Sequence, residues 1–152
     1  MSRLRLFAAL TLALAVTACG GSDDVSKEDY AKDVEKVCQD VEKEVRSIGR
    51  PSSTQEATEA TEKLEGQLDG LISRLRGIEK PGGDDGKKAD EFVNAFEGGV
   101  NQLKPALSDL QDAIANRDVS KIQEAGRKVQ AVDTQEINSK AQAIGADGCG
   151  GG

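Results

Sequence analysis

From Ser26 onward, apolar residues recur every three or four positions, the spacing of one face of an α-helix. The first stripe is Tyr30, Val34, Val37, Val41, Val45 and Ile48. Ser26 with Asp29 reads as a capping pair at its start, and Gly49-Arg50-Pro51 stops it. A second stripe, Ala57, Thr61, Leu64, Leu68, Leu71, Leu75 and Ile78, follows a better cap, Ser53 with Glu56. The run Pro81-Gly82-Gly83-Asp84-Asp85-Gly86 breaks the pattern. A third segment runs from about Lys87 to Ala115, with Ala89, Phe92, Phe96, Val100, Leu103, Leu107, Leu110 and Ile114 on one face. Pro105 lies inside it, lacks a backbone donor and crowds the Asn101 carbonyl. The rhythm keeps its phase across Pro105, so the prediction is one helix with a kink. A fourth, weaker stripe starts at the cap Asp118 and runs through Val119, Ile122, Gly126, Val129, Val132, Ile137 and Ala141 to Ile144, where Gly145 ends it. No segment alternates with period two, so no strand is predicted. Short connections between long amphipathic helices favour antiparallel neighbours. The expected fold of residues 26–149 is therefore all-α: an up-down-up-down antiparallel four-helix bundle, its third helix kinked at Pro105.

The first 25 residues follow a different pattern. Arg3 and Arg5 precede an apolar run from Leu6 to Val16, broken only by Thr11. Eleven residues are too short to span a bilayer as a helix but suit the apolar region of a signal peptide. Val16-Thr17-Ala18-Cys19 then resembles the lipobox of bacterial lipoproteins, an aliphatic residue and two small ones before a cysteine. The resemblance implies cleavage after residue 18 and a diacylglyceryl thioether on Cys19. Acyl chains of the palmitate class, at about 0.8 kcal/mol per buried methylene, would hold the protein on a membrane. Residues 19–25, with Gly20-Gly21-Ser22-Asp23-Asp24, read as a short flexible tether, and 150–152 as a glycine tail.

Composition narrows the chemistry. The 152 residues suit one domain, and the 134 left after cleavage can bury a core without a metal. Losing Arg3 and Arg5 takes the formal charge from −7 to −9. That balance argues against nucleic acid, whose affinity comes mainly from neutralised phosphates, and fits a soluble monomer. Histidine and tryptophan are absent. No Ser-His-Asp or Cys-His arrangement and no His-ligated zinc or haem is possible. The reading expects no cofactor and no metal.

Cys19, Cys38 and Cys149 are the three cysteines. With Cys19 lipidated, the remaining even pair in an exported domain reads as a disulfide, Cys38 to Cys149. The bond requires the tail after Ile144 to fold back along the first helix. An unpaired buried Cys38 and a free reactive Cys149 are the alternatives. The lipobox cysteine, the Gly/Ser/Asp tether, Cys38 in the first helix, the Pro81-Gly82-Gly83 break and a last cysteine at 149 together resemble the small, largely uncharacterised cell-envelope lipoproteins of high-GC Gram-positive bacteria. That resemblance implies a helical domain held outside the cytoplasm on the cell membrane, with no catalytic signature.

Among candidate sites, Asp84-Asp85 with Asp90 and Glu91 lacks the alternating acids and closing glutamate of a calcium loop and reads as a solvated cap. An acid pair for glycoside hydrolysis would need a sugar cleft, and aromatic residues are scarce. Gly98-Gly99 and Pro105 are the most informative local feature. Their structural reading is close packing against a neighbour, a theme that Gly66, Gly70 and Gly126 repeat. Their functional reading is a kink that opens a ligand cavity lined by Phe96, Val100 and Leu103. Sequence thus predicts a non-enzymatic, membrane-anchored interaction or spacer module with an envelope protein as its possible partner. A small-ligand carrier is the alternative.

Overall fold

Side-chain caps set where the helices begin in the computed structural model, which describes residues 25–149. The Ser26 hydroxyl accepts from the Asp29 N–H and opens α1, Lys27–Ser47. Ser53 accepts from Glu56 N–H and opens α2, Thr54–Gly77. Asp118 accepts from Lys121 N–H and opens α4, Val119–Gln130. Each bond satisfies one of the N–H groups that the first helical turn leaves without a partner. Gly82 caps α3, Gly83–Ala115, without a side-chain bond, and α5, Gln135–Ile144, is followed by a 3-10 turn, Asp147–Cys149. The described chain is all-α, with no strand among the described residues. The expected signal peptide over 1–18, Cys19, the expected tether up to Asp24 and residues 150–152 lie outside the described residues.

Two boundaries differ from the sequence pattern. The fourth segment is two helices, not one: the chain leaves the helix over Ala131–Thr134 and re-enters at Gln135. The Asp133 carboxylate accepts from Gln135 N–H at 2.8 Å and starts α5 with a local turn that competes with helix. The third segment begins at Gly83 rather than Lys87, so the glycine-rich run already forms its first turn. Asp84 and Asp85 lie in that turn, where carboxylates favour the positive end of the helix dipole. Gly86 is required there, because a Cβ would lie 2.3 Å from the Pro81 carbonyl oxygen. α3 continues unbroken through Pro105.

Cross-helix pairs fix how α2 and α3 lie. Arg76 pairs with Glu97, Lys104 with Asp69 at 2.6 Å, and Gln111 donates to Glu62 at 3.1 Å. Each step of seven residues back along α2 matches seven forward along α3, so the two run antiparallel in heptad register. On the other side of α3, Lys128 pairs with Asp109 at 2.8 Å, Ile137 packs on Gly99, and Lys140 pairs with Glu91 at 2.7 Å. α4 and α5 therefore run opposite to α3.

Burial is uneven along the rod. Tyr30, Val34, Leu75, Ala89, Phe92, Ala141, Ile144 and Ala146 are almost entirely buried in one cluster. The cluster sits where α1 and α3 begin and where α2 and α5 end. At the opposite end Leu64, Leu110, Ile114 and Ile122 are only half-buried. Helix length accounts for this. α1 has 21 residues and α3 has 33, about 31 and 50 Å. Ile48, just past α1, lies beside Ala60 and Lys63 of α2, so the first turns of α2 extend beyond α1.

Candidate functional site

The best-built feature outside the helices is the C-terminal strap. Gly145 takes the left-handed conformation, φ 83°, and ends α5. Gly145 N–H donates to Gln142 carbonyl and Ala146 N–H to Ala141 carbonyl, a Schellman closure. Ala146 is fully buried. Gly145 lies against Ala31, and Gly148 against Glu35, so the strap climbs α1 to Cys38. There Cys38 and Cys149 form a disulfide with Cα atoms 5.5 Å apart. The pairing is the one the sequence points to, rather than a free Cys38 and a free Cys149. The 3-10 turn and its disulfide join the first and last elements more extensively than direct α1–α5 packing does.

The glycine pair behaves differently at its two positions. A Cβ on Gly99 would come 2.6 Å from Ile137 Cδ1, so Gly99 is the close contact between α3 and α5. Gly98, Gly66, Gly70 and Gly126 have nothing within 4 Å of a Cβ, so close packing is not their role. Their helix faces look toward open space, which a repeat of small residues along the sequence does not reveal.

Beside Gly98 and Gly99 a groove of about 320 Å³ separates α3 from α5. Its walls are polar, with Glu91, Asn94, Gln102, Asp133, Glu136 and Lys140 among them. Lys140 donates to Glu91, which raises the ammonium pKa by hydrogen bonding and then by charge. The cavity residues expected from the sequence lie elsewhere. Val100 is buried, Leu103 is half-buried, and Phe96 packs on the core with its ring 6.2 Å from Phe92. Phe96, Val100 and Leu103 line neither this groove nor the other three prominent ones.

A second groove, of about 270 Å³, lies between α3 and α4. Lys128 spans it, paired with Asp109 at 2.8 Å and Glu124 at 3.5 Å, and its pKa is raised by the Asp109 bond. Lys128 offsets one of these two acidic charges, and no three potential metal ligands gather among the described residues. Asp84 and Asp85 each pair with a lysine three residues on, Lys87 and Lys88.

Two features were invisible to sequence reasoning. Tyr30 is fully buried with a hydroxyl that makes no hydrogen bond within the protein, and burial followed by the Asp90 charge pushes its pKa up to about 12. Arg117 holds φ 54° where α3 turns into α4, a conformation that costs an L side chain energy. Beside it, the starts of α2 and α4 flank an open groove of about 450 Å³. Among large apolar side chains of the described residues, Val119 in this groove is 66% exposed, and Val45 is the other exposed one. The chain matches no known protein family, curated protein or solved structure at a significant level.

Proposed function

We propose that this protein is a membrane-anchored extracytoplasmic lipoprotein whose helical domain serves as a non-enzymatic interaction or spacer module. The observation that carries the reading is the lipobox-like run Val16-Thr17-Ala18-Cys19 at the end of a signal-type apolar segment, eight residues before α1 begins. The disulfide supports it, because such bonds persist in oxidising compartments outside the cytoplasm. No helix among the described residues is long and apolar enough to cross a membrane, and the attachment in this reading is the lipid on Cys19.

The bundle follows up-down-up-down order in this reading, with α4 and α5 together forming its fourth rod. α3 bends at Pro105, where one backbone hydrogen bond is missing and the ring crowds Asn101. A rod about 50 Å long, tethered at the end where α1 starts, would hold its other end well above the lipid. The small-ligand carrier draws less support, because the groove at Gly98 is polar and does not include Phe96, Val100 or Leu103.

The test is Cys19→Ser in the native envelope, with fractionation and mass spectrometry of the mature N-terminus. The wild type is expected in the membrane fraction with a diacylglyceryl mass on Cys19, and the variant is expected released or unprocessed. Equal partitioning of the two, with an unmodified wild-type N-terminus, would overturn the anchor.

A further inference from the structure

The seams between neighbouring helices are not closed alike. Ion pairs cross from α1 to α2, Glu44–Arg74, from α2 to α3, Arg76–Glu97, and from α3 to α5, Lys140–Glu91. Among the described residues none crosses from α1 to α5. These two helices meet directly at the buried cluster that holds Tyr30, Val34, Ala141 and Ile144, and the covalent link between them is the 3-10 turn with its disulfide. The turn has little else to hold it on α1. No residue of Asp147–Cys149 is buried. Its backbone bonds run back into α5 rather than across the seam: Cys149 N–H donates to Ala146, and Ala146 N–H to Ala141. Gly148, without a side chain, faces Glu35, and Cys149 Sγ lies 3.5 Å from the Val34 carbonyl. Cys38 and Cys149 are both half-buried, so a reductant can approach the bond without prior unfolding.

We propose that the Cys38–Cys149 bond is a redox latch on the α1–α5 seam. A dithiol reductant attacks one sulfur as a thiolate and forms a mixed disulfide, and its second thiol then displaces the protein. The Cys38–Cys149 bond breaks, two electrons and two protons pass to the protein as two thiols, and the reductant leaves as its own disulfide. A disulfide resists reduction in proportion to the effective concentration at which the reduced fold holds its thiols together. That concentration is low here, because ordering the turn costs backbone entropy and no buried side chain in it offsets the cost. Release of the turn leaves α5 on α3 through Lys140–Glu91 and Ile137 on Gly99, and α1 on α2 through Glu44–Arg74. Opening is therefore confined to the seam. Tyr30 favours it, since its hydroxyl has no partner within the protein and regains water when the seam parts. The latch goes beyond the interaction-module reading and stands whether or not Cys19 carries lipid.

The test compares the full chain, oxidised and after dithiothreitol without denaturant. Alkylation and peptide mass should show Cys38 and Cys149 as free thiols. Tyr30 is the only tyrosine and tryptophan is absent, so acrylamide quenching of the intrinsic fluorescence reports this one site, and quenching should increase on reduction. Hydrogen exchange should quicken about tenfold or more in peptides from 27–38 and 141–149, as for a local opening, and keep its rate in 54–69 and 104–130. Cys149→Ser should behave as the reduced protein with or without dithiothreitol, which separates the loss of the bond from the reagent. Reoxidation should restore the first state. A bond that dithiothreitol reduces only in urea would overturn the latch. So would reduction that leaves quenching and exchange unchanged, because packing would then hold the seam. Exchange that quickens equally in all peptides would overturn it in favour of a staple for the whole fold.

Discussion

Tyr30 is the only tyrosine in the chain, and there is no tryptophan, so its ionisation can be followed alone by the ultraviolet difference band of tyrosinate. The phenol is fully buried against α3, and its hydroxyl finds no partner within the protein. Burial disfavours the charged form, Asp90 adds to the effect, and the pKa rises from 10.0 to about 12. The folded state therefore keeps its proton where the unfolded chain has lost it. A raised pKa of this kind contributes stability that is complete below pH 10 and is lost as pH rises from 10 towards 12. At 1.36 kcal/mol per unit, about two units correspond to about 2–3 kcal/mol, a large share of a typical 5–15 kcal/mol domain. Urea unfolding followed by circular dichroism, repeated from neutral to alkaline pH for wild type and Tyr30→Phe, isolates this contribution, because the lysines that titrate nearby cancel in the difference. Near neutral pH the variant should be as stable as wild type, or more so by about 1 kcal/mol, since it removes a buried polar group without a partner. Above pH 10 it should lose less than wild type. A tyrosinate midpoint near 10 with the helices intact would refute the burial. A loss of 2 kcal/mol or more in the variant at neutral pH would show that the hydroxyl is bonded.

Replacing Cys38 or Cys149 with serine should lower the melting temperature while leaving the helical signal unchanged. The closed loop is long enough for about 4–5 kcal/mol in the chain-entropy account, and the double variant should match either single one. Gly98→Ala should stabilise by about 0.5–1 kcal/mol, because the position is helical and open, as denaturant midpoints would show. Gly86→Ala should destabilise by about 1–3 kcal/mol, because its Cβ meets the Pro81 carbonyl, and the pair of outcomes in opposite directions checks the geometry. Arg117→Gly should raise stability by about 1 kcal/mol by relieving the left-handed backbone, measurable as a higher thermal midpoint.

What sequence made legible here was local. Ser26, Ser53 and Asp118 cap their helices because a side chain and an N–H three residues on meet within one turn, independent of the rest of the fold. Gly145 is equally local. The disulfide was legible for a different reason. Only two cysteines follow Cys19, and the glycines around 145–150 allow the return along α1. The break at Ala131–Thr134 was missed because the apolar stripe spans it, from Val132 to Ile137. Asp133 and Thr134 were the available signal, two residues suited to starting a helix in the middle of a stripe. Gly66, Gly70 and Gly126 misled because spacing shows that small residues share a face, not whether a neighbour approaches that face.

The groove beside Arg117 was illegible because no local pattern makes it. It arises because α1 ends before α2 begins to pack fully, so the starts of α2 and α4 and the end of α3 share one helix fewer than the other end of the rod. Val119 and Ile122 read as core positions in the stripe, and in a bundle with a longer α1 they would be covered. The same difference in length separates two roles along the rod. Tyr30, Phe92, Ile144 and the strap concentrate stability at the end nearest the chain's entry. Residual apolar surface and backbone strain collect at the other end. Arg117 connects the two arguments. The strain is local to Arg117, so Arg117→Gly should raise the thermal midpoint by the same amount in wild type and in the Cys38→Ser variant. A gain that appears only with the disulfide intact would place the strain in the packing of the rod rather than in the backbone of Arg117.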